Sequence, residues 1–131
     1  VYVRRAYSLE AAMDRFRAET YLPLTPVAFE VLLALADGSR HGYGILQEVD
    51  ARSGGAVSLH AGTLYRVLAR LLEQQLIEEL DAPIGLADGD ERRRYYGLTA
   101  QGVAVARAEA ARLESQLAAA RTRRLLSGGD A

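Results

Sequence analysis

Residues 41–49 read HGYGILQEV, residues 62–80 read GTLYRVLARLLEQQLIEEL, and residues 92–102 read RRRYYGLTAQG. The middle segment decides the fold. Leu64, Val67, Leu68, Leu71 and Leu72 recur at i, i+3, i+4, i+7 and i+8, which is one face of an α-helix. The periodicity predicts a helix over His60 to Gln75. Thr63, Arg66 and Arg70 fall within one narrow arc roughly opposite that face, and Tyr65 lies on the shoulder between them. From Leu76 to Asp81 the pattern becomes strand-like. Residues 82–91, with Pro83, Gly85 and Gly89, form a polar turn, and Arg92–Leu98 returns as a Tyr-rich strand.

Upstream, His41 to about Arg52 reads as a helix with Ile45, Leu46 and Val49 inside, stopped by Ser53-Gly54-Gly55. Val57-Ser58-Leu59 is expected to form a short strand. Thr25-Pro26 is a helix start, with Thr as N-cap and Pro in the first helical position. The helix runs from Val27 to Asp37, with Ala28, Val31, Leu32 and Leu35 on one stripe; Phe29, Leu33 and Ala36 widen it, which predicts broad burial. Residues 1–22 form an amphipathic extension. Ser8 can cap a helix from about Leu9 to Glu19 that presents Leu9, Met13 and Phe16; it either docks or frays.

Downstream, Thr99 caps a helix running to about Leu126, before Ser127-Gly128-Gly129. Val103, Ala106, Ala110, Leu113, Leu117 and Ala120 repeat in alternating steps of three and four, an a/d seam suited to a second helix.

The order helix, helix, ribbon is that of a winged helix-turn-helix: mainly α with a small β-wing, flanked by an N-terminal helix and a long C-terminal dimerisation helix. The expected organisation is 1–22 extension, 23–98 winged-helix domain and 99–131 dimerisation helix. Double-stranded DNA is then the leading partner, and a homodimer the expected assembly.

Composition bounds this expectation. At 131 residues, half of them apolar, the chain suffices for one domain with a packed core. Without cysteine it has neither disulfides nor thiolate metal sites, and His41 and His60 are too few for a metal cluster, so no metal or cofactor is expected. The formal charge is −1, from 17 acids and 16 arginines. Many DNA-binding domains are more basic, but Ala51–Leu72 holds three arginines, one histidine and no acid, and the local field governs contact with phosphates. No apolar run approaches the roughly 20 residues of a membrane span, so a cytoplasmic protein is expected. No Gly-rich phosphate loop, HExxH motif or nucleophile elbow is present, and Glu78-Glu79, neighbours on a strand, face opposite ways; an enzyme is not expected.

The candidate residues divide by role. Arg can fork onto guanine edges or phosphates, and Thr can reach a phosphate or a thymine methyl. On an isolated helix, Thr63, Arg66 and Arg70 would be an ordinary solvated face; on the last helix before a ribbon they point to DNA. Arg92, Arg93 and Arg94 follow Asp88, Asp90 and Glu91, so they either pair within the hairpin or reach phosphates or a minor groove. Tyr95 and Tyr96 point to opposite faces, with Tyr96 expected inside and Tyr95 outside. Tyr43 and Tyr65 are shoulder aromatics that pack and use their hydroxyls on backbone or phosphate. His41 and His60 are read as polar residues of helix starts.

With HGYGI, GTLYRVLARL, LIEE and RRRYYGLTAQG in their order, residues 24–102 resemble the PadR-like transcriptional regulators. The resemblance implies a winged-helix dimer that represses transcription from a palindromic operator, with most dimer contacts in the C-terminal helix. In some members a small molecule bound near the dimer interface releases DNA. It further implies that Gly62, Thr63, Tyr65, Arg66 and Arg70 lie on the recognition helix and that Arg92, Arg93 and Arg94 flank the wing. The chain departs from the family pattern at His60-Ala61, where Ser-Pro is usual, and at Gln75, where Gly is usual. Two other readings stand beside this one. A winged-helix protein–protein module is favoured if acids neutralise the arginines. A ligand-sensing variant would hold an apolar small-molecule effector between the terminal helices and the core, although the Ala-rich seam argues for tight packing there.

Overall fold

The computed structural model describes residues 16–57, 59–82 and 94–126. A single 3-10 turn, Ala18–Tyr21, leads into α1 (Pro26–Ala34), β1 (Arg40–His41), α2 (Gly42–Ser53), α3 (Ala61–Glu73), β2 (Ile77–Leu80), β3 (Tyr95–Leu98) and α4 (Ala100–Thr122). The three strands form one antiparallel sheet in the order β1-β3-β2. Ile77 lies opposite Leu98 and Leu80 opposite Tyr95, while Arg40 and His41 pair with Tyr96 and Tyr95. This is a winged helix: α2 and α3 form the helix-turn-helix, and β2–β3 form the base of the wing.

The core lies where the periodicity places it. Leu64, Leu68 and Leu71 of α3 are fully buried against Val31, Leu32 and Leu35 of α1, Ile45 and Val49 of α2, and Val105 of α4. Each such side chain contributes about 1.5–3 kcal/mol by leaving water. The broad burial expected of α1 holds over most of the helix: Val31, Leu32, Ala34 and Leu35 are buried and Val27–Glu30 half-buried, while Leu33 and Ala36, two of the residues expected to widen the stripe, are exposed.

Polar side chains set the helix ends. Thr25 Oγ1 accepts from the Ala28 N–H at 3.2 Å, and His41 Nδ1 accepts from the Gly44 N–H at 2.9 Å. His60 occupies the N-cap position of α3 but makes no side-chain cap bond. The other end of α3 is tightly closed. Leu76 N–H donates to Leu71 O and Gln75 N–H to Leu72 O, both at 3.0 Å, with Gln75 at φ +61°. That is a Schellman motif with glutamine in the left-handed position that usually takes glycine.

The start of α4 locks onto this turn. Thr99 Oγ1 accepts from Gly102 N–H and donates to Gln75 O at 2.6 Å, while Thr99 N–H donates to Leu76 O. Gly102 packs so closely that a Cβ there would lie 1.9 Å from Leu76 O.

Several expectations are corrected. The end of the helix expected over Leu9–Glu19 is absent: Phe16 and Arg17 are irregular, and a 3-10 turn follows. Thr20 Oγ1 donates to Arg17 O at 2.8 Å, a local bond that competes with a helical one; the rest of that helix lies outside the described residues. Neither Val57 nor Leu59 is in a strand. The extra strand is instead β1, formed by two residues before α2. β1 makes β3 the central strand, so Tyr95 is buried as well as Tyr96. The His41 ring covers Tyr95 edge-on, with centroids 5.3 Å apart.

Candidate nucleic-acid interface

The helix-turn-helix presents α3 outward. Gly62, Tyr65, Arg66, Ala69 and Arg70 are exposed and Thr63 is half-buried, around the back of the Leu64–Leu68–Leu71 face. Arg66 Nη2 donates to Thr63 Oγ1 at 3.3 Å, so these two act as one polar unit. Neither Arg66 nor Arg70 forms an ion pair among the described residues, although Glu73 lies on the same helix. Other arginines are committed to the fold. Arg40 donates to Ala34 O at 2.7 Å and pairs with Asp37 and Glu48, tying α1 to α2. Arg52 pairs with Glu30 across the same two helices.

Thr63, Arg66 and Arg70 form one wall of a groove of about 810 Å³ whose other wall includes Tyr21, Leu24 and Ala28. The segment before α1 therefore lies beside the arginine-bearing side of α3. Tyr65 faces the other way. With Tyr43, Arg94, His41 and Tyr96 it lines a second cleft of about 530 Å³ at the base of the wing.

Arg94 is largely exposed, 3.7 Å from Glu79 across the β2–β3 pair. Burial raises the pKa of the Tyr96 phenol, assisted by the negative charge of Glu79 and opposed by Arg94. Arg92, Arg93 and the turn carrying Asp88, Asp90 and Glu91 lie outside the described residues. The structure therefore gathers Thr63, Arg66 and Arg70 on one flank of α3, and Tyr65 and Arg94 on the other.

In α4 the faces divide by one residue. Gly102, Val105 and Glu109 are buried in the chain's own core. Of the seam residues, Val103, Ala106, Leu113 and Ala120 are half-buried, whereas Ala110 and Leu117 are exposed, Leu117 by 45%. Residues 114–119 are exposed without exception. No helix among the described residues is long and apolar enough to cross a membrane.

Glu109 has no counterpart in the sequence reading. Its carboxylate is 2% exposed and takes two bonds from Arg112, at 2.7 and 2.8 Å. The Arg112 guanidinium holds its pKa below the ordinary carboxylate value; burial opposes this, and the Leu24 N–H assists it. The signal in the sequence is a single acid on the inward stripe Gly102–Val105–Glu109, spaced by three and four, with an arginine three residues further on. Tyr43 was legible as a shoulder aromatic, but the structure leaves it 57% exposed.

Known proteins share this arrangement. A PadR family transcription regulator from Clostridium difficile superposes with a TM-score of 0.63 at 20% identity, over 75% of this chain and 97% of that one. A transcriptional regulator from Clostridium thermocellum gives 0.60 at 21% identity, over 73% and 87%. At these identities the likeness establishes the fold. RosR of H. salinarum gives 0.54 at 26% identity, over 75% and 78%. An uncharacterised protein X of Lysinibacillus sphaericus is 32% identical over 74 residues, which span 56% of this chain and 65% of that protein. The model of the transcriptional regulator PadR-like family matches residues 31–108, more than half of the chain. On that match, made by the residues that build α2, α3, the wing base and the start of α4, the chain belongs to the PadR-like family of transcriptional regulators.

Proposed function

We propose that the protein is a homodimeric repressor that binds a palindromic operator in double-stranded DNA. The observation that carries this reading is the pair Arg66 and Arg70, exposed and without an acidic partner among the described residues, on the second helix of a helix-turn-helix. An arginine left free of carboxylates keeps its fork for guanine edges or phosphates. The protein–protein alternative called for Glu73, Asp90 and Glu91 to neutralise the arginines; Glu73 pairs with neither Arg66 nor Arg70, and Asp90 and Glu91 lie outside the described residues. Gly62 allows close approach of the helix start, Thr63 holds Arg66, and Tyr65 and Arg94 reach adjacent backbone. Arg92 and Arg93 are proposed to extend this contact along the wing.

One copy reads half a site. The Val103, Ala106, Ala110, Leu113, Leu117, Ala120 seam is proposed to pair with its symmetry mate, setting the two α3 helices about 34 Å apart, one turn of DNA. The exposed Ala110 and Leu117 support this: small and apolar residues that the chain's own core leaves uncovered suit close helix packing. The protein would act in the cytoplasm, where its operator lies. For an apolar effector, the groove beside α3 is the roomier of the two cavities described and would couple ligand to DNA through Arg66 and Arg70.

Selection from random duplex DNA, followed by titration of the selected site at several salt concentrations, tests the proposal. Arg66→Ala and Arg70→Ala should each weaken binding, and loss of a phosphate contact should lower the salt slope by about one unit. Unchanged affinity in both variants would overturn the assignment of this face.

A further inference from the structure

The cleft at the wing base has a composition that its role in the fold does not require. Among the described residues its lining side chains are three tyrosines, a histidine and an arginine, without an acid. Tyr43 and Tyr65 are more than half exposed, although phenol rings at helix surfaces gain by packing. They approach from different helices. Tyr43 stands in the first turn of α2 and stacks on His41, centroids 6.5 Å apart and planes 12° from parallel. Tyr65 comes from α3 and lies over the same turn, its hydroxyl 2.8 Å from where a Gly42 Cβ would be. Glycine at 42 therefore admits the Tyr65 hydroxyl to the backbone of α2. Arg94, at the foot of β3, supplies the cation.

Resting on the reading that duplex DNA is the partner, we infer that this cleft seats one backbone phosphate of the duplex, held jointly by the Tyr43 and Tyr65 hydroxyls and the Arg94 guanidinium. Phenol O–H groups and guanidinium are donors suited to an oxyanion and carry no base information. The position agrees with helix-turn-helix docking, in which the first helix crosses the backbone while the second enters the groove. The cleft lies on the opposite flank of α3 from Arg66 and Arg70. A phosphate fixed there would set the angle at which those arginines meet the bases. Glu79, 3.7 Å from Arg94, competes for the same guanidinium.

The test uses the full chain, the selected operator and a random duplex of equal length. Tyr43→Phe and Tyr65→Phe remove one hydroxyl each and preserve the rings. Each should weaken binding to both duplexes by about 10- to 150-fold, the value of one hydrogen bond to a charged group, with an unchanged salt slope. Arg94→Gln should weaken both and lower the slope by about one unit. Glu79→Gln should tighten both.

Single methylphosphonate replacements in the operator then locate the phosphate: one position should cost the wild type affinity and cost Tyr43→Phe less. Phe variants with wild-type affinity, or losses confined to the selected sequence, would overturn the inference while leaving the DNA reading intact. A wild-type chain that retains no duplex at all would instead defeat the DNA reading, and this inference with it.

Discussion

Gln75→Gly should stabilise the protein, although it deletes a side chain and adds backbone freedom. Gln75 holds φ +61° at the end of α3, where the Schellman turn needs a left-handed residue. A residue with a Cβ meets its own carbonyl there at a cost of about 1–2 kcal/mol, which glycine avoids. Glycine loses more entropy on folding, which takes back about 0.4–1 kcal/mol. The side chain is exposed, and no hydrogen bond to it occurs among the described residues, so little else changes. The net gain is about 0.5–1 kcal/mol. For 131 residues, at about 2.1 cal/mol/K of unfolding entropy per residue, this is a rise in Tm of about 2–4 °C. Calorimetry at fixed protein concentration measures it, since a dimer's Tm depends on concentration. Gln75→Ala is the control: it keeps the Cβ and should not rise. A Gly variant no more stable than the Ala variant would refute the strain argument.

Three further outcomes are expected. Gly102→Ala should cost at least about 2 kcal/mol in urea unfolding, because its Cβ would lie 1.9 Å from the Leu76 carbonyl that bonds Thr99; a wild-type midpoint would contradict that packing. Glu109→Gln should lose about 1–3 kcal/mol at pH 7. Because Glu109 has a lowered pKa in the folded chain, its contribution is present above the ordinary carboxylate pKa and fades as pH falls through the folded value, so the gap between variant and wild type should close on acidification; a gap independent of pH would refute the charged pair. Leu113→Glu with Leu117→Glu should yield folded monomers by light scattering and circular dichroism, since Leu117 is already 45% exposed and Leu113 half-buried; a persistent dimer would move the interface away from this seam.

The sequence by itself determined what depends on periodicity and on local backbone chemistry. The five-residue apolar repeat of α3 fixes which side goes inward, so periodicity alone turns Arg66 and Arg70 outward. Thr25-Pro26 and Thr99 mark helix starts because capping is a bond between near neighbours. Tertiary structure alone decided what depends on distant segments meeting. β1 is two residues long, too short to show a period, and exists because Tyr95 and Tyr96 offer it a partner; that pairing buries Tyr95, which alternation alone places outside.

Glu109 reads as a surface acid until Arg112 and the Leu24 N–H close over it. The seam was legible as a repeat, yet only packing showed that α4 spends its Gly102–Val105–Glu109 face on its own core and leaves Ala110 and Leu117 outside. Tyr43 and Tyr65 stand 22 positions apart and share one cleft because α2 and α3 cross at Gly42. Periodicity reports which way a side chain faces relative to its own helix; what waits on that side is a property of the fold.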